Sequence, residues 1–147
     1  AEVVIFFNKE LAATFTHRRK RGGHLLSKGR VFGAQMVGWL QDDHWLDLAQ
    51  YANTQATQLA KQIATFDRLQ LVWPVESNEL FVIMPKGLAV HLQDAGAEFY
   101  DWYVTTLPPN ILIDEDEMFA RLVTSFVTQD SQCEAFCELI HDYFAAQ

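Results

Sequence analysis

Apolar residues lie side by side at the start of the chain, at Val3, Val4, Ile5, Phe6 and Phe7. A continuous β-branched and aromatic run without polar alternation predicts a strand buried on both faces. Asn8 follows as a helix N-cap. The helix it opens passes through Leu11 and Phe15 into a basic cluster that Gly22-Gly23 breaks. A second helix is expected over residues 25–40, and its part 31–40 is apolar almost all round, which predicts a buried element. Asp42-Asp43 then offers N-caps to the clearest helix in the chain. There Trp45, Leu48, Ala52, Ala56, Leu59 and Ile63 recur at helical spacing and put one face against a core.

Beyond Phe66 the period changes. Residues 69–73 and 80–84 read as two strands separated by Pro74 and the turn pair Ser77-Asn78. Pro85 ends the second, and a short helix over 86–95 stops at Gly96, a natural residue for the position after a helix end. A third strand is expected over 99–104. An exposed connection follows at Pro108-Pro109-Asn110 and the acidic stretch 114–117, then a fourth strand over 119–126. From about Gln129 a terminal helix carries Cys133, Phe136, Cys137, Ile140 and Phe144 on its apolar stripe. The expected class is therefore α+β, with residues 1–40 as one part and 41–147 as a small C-terminal domain. The leading strand finds no partner in this layout and belongs in a larger sheet. A chain that opens on Ala1 rather than Met suits the same expectation, that it is cut from a longer protein.

With 147 residues, half of them apolar, the chain can build one real core, which excludes global disorder. No apolar run approaches a membrane span and no secretory leader is legible. Two cysteines are too few for a disulfide framework, so a reducing, cytoplasmic location is expected. The net charge is −8, yet it is unevenly spread. Residues 1–30 hold seven basic groups against two acidic ones, a balance of +5, and residues 31–147 hold four against seventeen, a balance of −13. The acidic total argues against a nucleic-acid binder. Although Arg18-Arg19-Lys20-Arg21 resembles a short nucleic-acid or localisation patch, no interleaved aromatics support that reading. The basic end is either a solvated helix face or a surface for an anionic partner. On the second view the chain is a stand-alone interaction domain docking an acidic partner.

Few constellations carry chemistry. Cys133 and Cys137 share an apolar helix stripe, which is core packing rather than a redox or metal pair, and no metal site is expected. The five histidines show no zinc spacing, and no P-loop, dinucleotide fingerprint or nucleophile elbow is present. Between Arg18 and Arg30, basic residues flank two glycines before a new helix, a pattern that suits a phosphate through backbone N–H groups and nearby cations. Arg121 is the other notable residue. It shares one face of an apolar strand with Phe119 and Val123, where a charge needs a partner. Either it pairs internally with one of the many acids, or its planar fork takes a ligand carboxylate.

In these places the chain resembles a known family. Residues 3–7, the run His17-Arg18-Arg19-Lys20-Arg21-Gly22-Gly23, the run Leu25-Leu26-Ser27-Lys28-Gly29-Arg30 and the run Arg121-Leu122-Val123-Thr124-Ser125-Phe126 resemble low-specificity L-threonine aldolases. These are pyridoxal-phosphate enzymes of the β-eliminating-lyase group with the aspartate-aminotransferase-like fold. The stretch 74–82 is similar to a small-domain hairpin of one branch of that family. The resemblance implies one large-domain strand, bridging helices and the C-terminal small domain. It implies a parent activity cleaving β-hydroxy-α-amino acids to glycine and an aldehyde, within amino-acid metabolism, in a homodimer or homotetramer without nucleic-acid or membrane partners. It places the Schiff-base lysine just before the segment matching residues 3–7, so this chain holds no catalytic residue and is expected to be inactive alone. By the same resemblance Arg121 binds the substrate α-carboxylate. Lys20, Gly22 and Gly23 lie near the cofactor phosphate, across a subunit boundary, with Lys28 and Arg30 as further cofactor contacts. Many members read Gly-Gly-Gly-Met-Arg-Gln where this chain reads Gly23-His24-Leu25-Leu26-Ser27-Lys28, which leaves open which base replaces that arginine.

Overall fold

A computed structural model of the chain describes residues 3–147, and it divides into two compact units, Ala1–Leu46 and Asp47–Gln147. The division falls six residues beyond the boundary expected at 40–41. In the first unit α1 (Lys9–Ala12), α2 (Phe15–Arg21) and α3 (Gly29–Leu40) are helical. Asn8 caps α1 as its short polar side chain predicts, its Oδ1 accepting from the Glu10 amide at 2.9 Å. The single helix expected from Asn8 to the glycines is two, parted at Ala13 and Thr14. Neither residue is a helix breaker, so the break is not a propensity effect.

Three further expectations need correction in this unit. Residues 3–7 form no strand, since no strand among the described residues pairs with them. The ring of Phe6 instead meets Phe15 edge-on at 4.8 Å. Helix α3 buries no residue, and Val31, Val37 and Leu40 are each more than half exposed. Its composition states what the helix would bury, not that a covering element exists. Asp42 and Asp43 do not act as N-caps: with φ of 52° and 59° they form a left-handed turn, a conformation that short polar side chains tolerate.

The second unit contains most of α4 (His44–Ile63), then β1 (Gln70–Leu71), β2 (Glu79–Pro85), α5 (Lys86–Asp94), β3 (Tyr100–Asp101), β4 (Glu117–Val123) and α6 (Asp130–Ala145). The four strands form one antiparallel sheet in the order β1-β2-β4-β3. Strand alternation divides the sheet into two covered faces. On one, Leu80, Val82 and Met84 of β2 and Ala120 and Leu122 of β4 meet α4, α5 and α6, with Ile63, Leu88, Leu92 and Ile140 fully buried between them. On the other, Phe81, Ile83 and Phe119 pack with Trp73, Trp102 and the connection through Leu107, Ile111 and Ile113.

Polar groups are spent on joining these layers. The buried Thr124 hydroxyl donates to the Ala52 carbonyl at 2.8 Å, while Asn78 and Thr124 exchange a backbone bond of 2.9 Å and a side-chain bond of 2.7 Å. Gln129 and Gln132 form a capping box that starts α6. Gly96 ends α5 at φ 98°, with its amide on the Gln93 carbonyl and the Ala97 amide on the Leu92 carbonyl, the pairing of a left-handed helix stop. No helix among the described residues is long and apolar enough to cross a membrane.

Candidate functional site

Arg121 stands on the aromatic face of the sheet, near the middle of β4. Its neighbours there form a mesh of rings: Trp73 meets Phe81 at 4.9 Å and Phe119 at 5.8 Å, and Phe81 meets Trp102 at 5.7 Å. Both flanking strands reach the Arg121 side chain. From beyond β3, Trp102 lies beneath the guanidinium, whose carbon is 4.4 Å from the ring centroid. From β2, Glu79 Oε1 accepts from Nη1 at 3.2 Å. The register explains that contact: Arg121 faces Phe81 directly and Glu79 faces Val123, so the two charges are diagonal neighbours on one face.

The internal partner that a charge on this wall requires is therefore present, and it is Glu79. The two side chains are 35% and 36% exposed, so their attraction is screened and contributes little stability. What the pair provides is geometry. One nitrogen is engaged, one ring covers the guanidinium from below, and about a third of the side chain remains exposed. Sequence inspection finds Arg121 because a charge interrupts an apolar strand. It misses Glu79 and Trp102, because only strand register brings them to that charge.

The basic segment lies in the first unit and is described by itself. Lys20, Gly22, Gly23, Lys28 and Arg30 are all exposed. Gly22 and Gly23 end α2 rather than open a helix. Gly22 N–H bonds the Arg18 carbonyl at 2.9 Å, Gly23 N–H that of Lys20 at 3.2 Å, and His24 N–H that of Arg19 at 3.1 Å, with Gly23 at φ 75°. This corrects the expected anion cradle, because these amides already serve the helix C-terminus. Lys28 stands at the N-cap position of α3, whose first turn contains Arg30 and no acid. Among the described residues the ion pairs are Arg121–Glu79 and the exposed His141–Asp142, so Lys20, Lys28 and Arg30 carry charge unneutralised by a described acid.

The remaining candidates are structural. Cys133 is buried with its Sγ 3.6 Å from Gln55 Oε1, and burial pushes its thiol up. Burial raises the Cys137 thiol further, to about 11, with Cys133 adding to the shift. Neither is a thiolate nucleophile. No group of three or more His, Cys, Asp or Glu among the described residues could hold a metal ion. All five lysines are exposed, and Lys86 Nζ donates to the Glu115 carbonyl at 2.6 Å.

No protein-family model matches the chain. The low specificity L-threonine aldolase of Pseudomonas aeruginosa is 40% identical to it over 99 residues, 67% of this chain and 29% of that protein. The enzyme of the same name from a Pseudomonas sp. is 38% identical over 99 residues, with the same shares. The chain thus spans less than a third of the length of these curated relatives. Among solved structures, a Leishmania major threonine aldolase superposes with a TM-score of 0.80 at 24% identity, over 94% of this chain and 37% of that one. A NifS-like protein from Rickettsia africae gives 0.55 at 14% identity, over 67% and 29%. At these identities the structures show the fold alone. The resemblance to the threonine aldolases read from the sequence is borne out, and so is the α+β small-domain fold.

Proposed function

We propose that this chain supplies the substrate-carboxylate and cofactor-phosphate contacts of a pyridoxal-phosphate-dependent lyase of the threonine aldolase type. The observation that carries the reading is Arg121, a cation presented on an aromatic sheet face, oriented from two sides and still open to a ligand. An α-carboxylate can engage its remaining donors as a charge-assisted, two-pronged contact. Held there, a small β-hydroxy-α-amino acid has its α-carbon placed by the protein rather than by diffusion. That orientation selects which bond breaks as glycine and an aldehyde form.

The donor set of the first unit suits a phosphate in its chemistry. Lys20, Lys28 and Arg30 are cations unneutralised by a described acid, and the α3 N-terminus adds partial positive charge beside two of them. Gly22 and Gly23 serve by ending α2 just past Lys20 and Arg21, so that Lys20 stands in the last turn of the helix. Pyridoxal phosphate, when bound, supplies the electron sink for cleavage. The chain's own contribution is to hold carboxylate and phosphate, in a homodimeric or homotetrameric cytoplasmic enzyme. Its five lysines lie exposed, outside any context like that of the family's cofactor-bound lysine, so the chain alone is inactive.

The test uses the full reading frame that encodes this chain. Arg121→Ala should lower kcat/KM for threonine by about a hundredfold, because two hydrogen bonds to a charged group together are worth about 3 kcal/mol. Unchanged threonine cleavage removes the role given to Arg121. Lys20→Ala should weaken cofactor retention on dialysis and leave the carboxylate contact intact.

A further inference from the structure

Resting on the reading of Arg121 as the carboxylate contact, we infer that Trp102 is a positioning residue that orients the Arg121 guanidinium for that carboxylate. An arginine on a sheet face has several rotatable bonds, and a bidentate contact requires its plane to be fixed in one orientation. Glu79 fixes one nitrogen by a single bond, which leaves the plane free to turn about it. The Trp102 ring supplies the missing constraint, with the guanidinium carbon 4.4 Å from its centroid.

Trp102 is itself rigidly placed. Its backbone N–H donates to the Phe119 carbonyl of β4 at 2.6 Å, and its ring packs against Phe81 at 5.7 Å and Tyr103 at 5.3 Å. Two of these neighbours, Phe81 and Phe119, lie on the same sheet face as Arg121. The tryptophan is thus anchored to the strand that carries the arginine, and the ring presents a π face to the cation. That attraction persists at a partly exposed site and needs a ring, not merely apolar volume.

Volume and π face are separated by comparing Trp102→Leu with Trp102→Phe in the protein from the full reading frame, loaded with pyridoxal phosphate. The readout is the ratio of affinities for glycine and glycinamide by calorimetry. The two ligands share the same amine, so their ratio isolates the carboxylate. Trp102→Leu should cut the preference for glycine about 5- to 10-fold, the range of a partly exposed cation–π contact, while Trp102→Phe keeps it within about twofold. Should the leucine variant fail to fold, Trp102→Met fills the space flexibly without a π face and carries the same expectation. Equal losses in the apolar and phenylalanine variants would mean packing alone, and unchanged ratios would mean no role; either overturns the inference. Arg121→Ala separates the two levels. If it retains the glycine preference, the carboxylate reading itself fails. If it abolishes the preference while Trp102→Leu does not, only the role of Trp102 falls.

Discussion

At the scale of single residues, Arg121 and Glu79 form a carboxylate contact inside the chain, which under the proposed function a substrate carboxylate would share or displace. Glu79→Gln keeps the Oε1 acceptor and removes the competing charge. Steady-state kinetics should then show KM for an amino-acid substrate falling about two- to fivefold with a smaller change in kcat, as an exposed pair permits. A rise in KM would mean that the charge of Glu79, and not its acceptor oxygen alone, is needed to hold the guanidinium in place. Gly87 offers a packing test. A Cβ built there would collide with the Tyr143 hydroxyl, although alanine is the better helix former. Gly87→Ala should destabilise by about 1–3 kcal/mol in urea unfolding, and adding Tyr143→Phe should recover most of that loss. Additive penalties would rule the clash out. Arg121 was legible in the sequence because its charge breaks an apolar strand. Its two partners lie 42 and 19 positions away in the chain, and the Gly87–Tyr143 approach joins two helices, so none of these contacts leaves a local pattern.

At the scale of elements, legibility followed cover. The α4 stripe and both central strands are visible because most of their residues are buried where the periods predict, on both sides for β2 and β4. Strand β4 nevertheless runs Glu117–Val123 and stops short of the expected end at 126. The marginal strands were expected to be longer: residues 69–73 and 99–104 shorten to Gln70–Leu71 and Tyr100–Asp101. A single backbone bond continues past each, from Val72 N–H to the Phe81 carbonyl and from Trp102 N–H to the Phe119 carbonyl, and beyond it the apolar side chains pack over the sheet. Helix α3 shows the opposite error, an apolar element without a covering layer. In α6 the raised Cys137 thiol gives a pH prediction. The folded thiol keeps its proton while the unfolded chain, with the ordinary value near 9.0, releases it. Stability is therefore undiminished below that value and falls as pH rises from about 9 toward about 11. Denaturant midpoints of Cys137→Ala should decline less over this window, and an identical slope in both proteins would count against burial of the thiol.

At the scale of the whole molecule, the buried residues of both clusters lie between Ala56 and Ile140, inside the second unit. A chain of residues 44–147 should accordingly fold by itself, melting in one cooperative transition with the circular dichroism of a mixed α and β structure. A non-cooperative melt would show that the first unit is needed for that core. The four-stranded sheet ends on both sides in strands of two residues, β1 and β3. Open strand edges are templates on which further copies of a chain can add as fibrils, and very short edges deny them the ladder they need. The sheet is thus protected against edgewise polymerisation by the brevity of its margins. Self-association of this chain has a different place to start, the uncovered apolar side chains of residues 3–7 and α3.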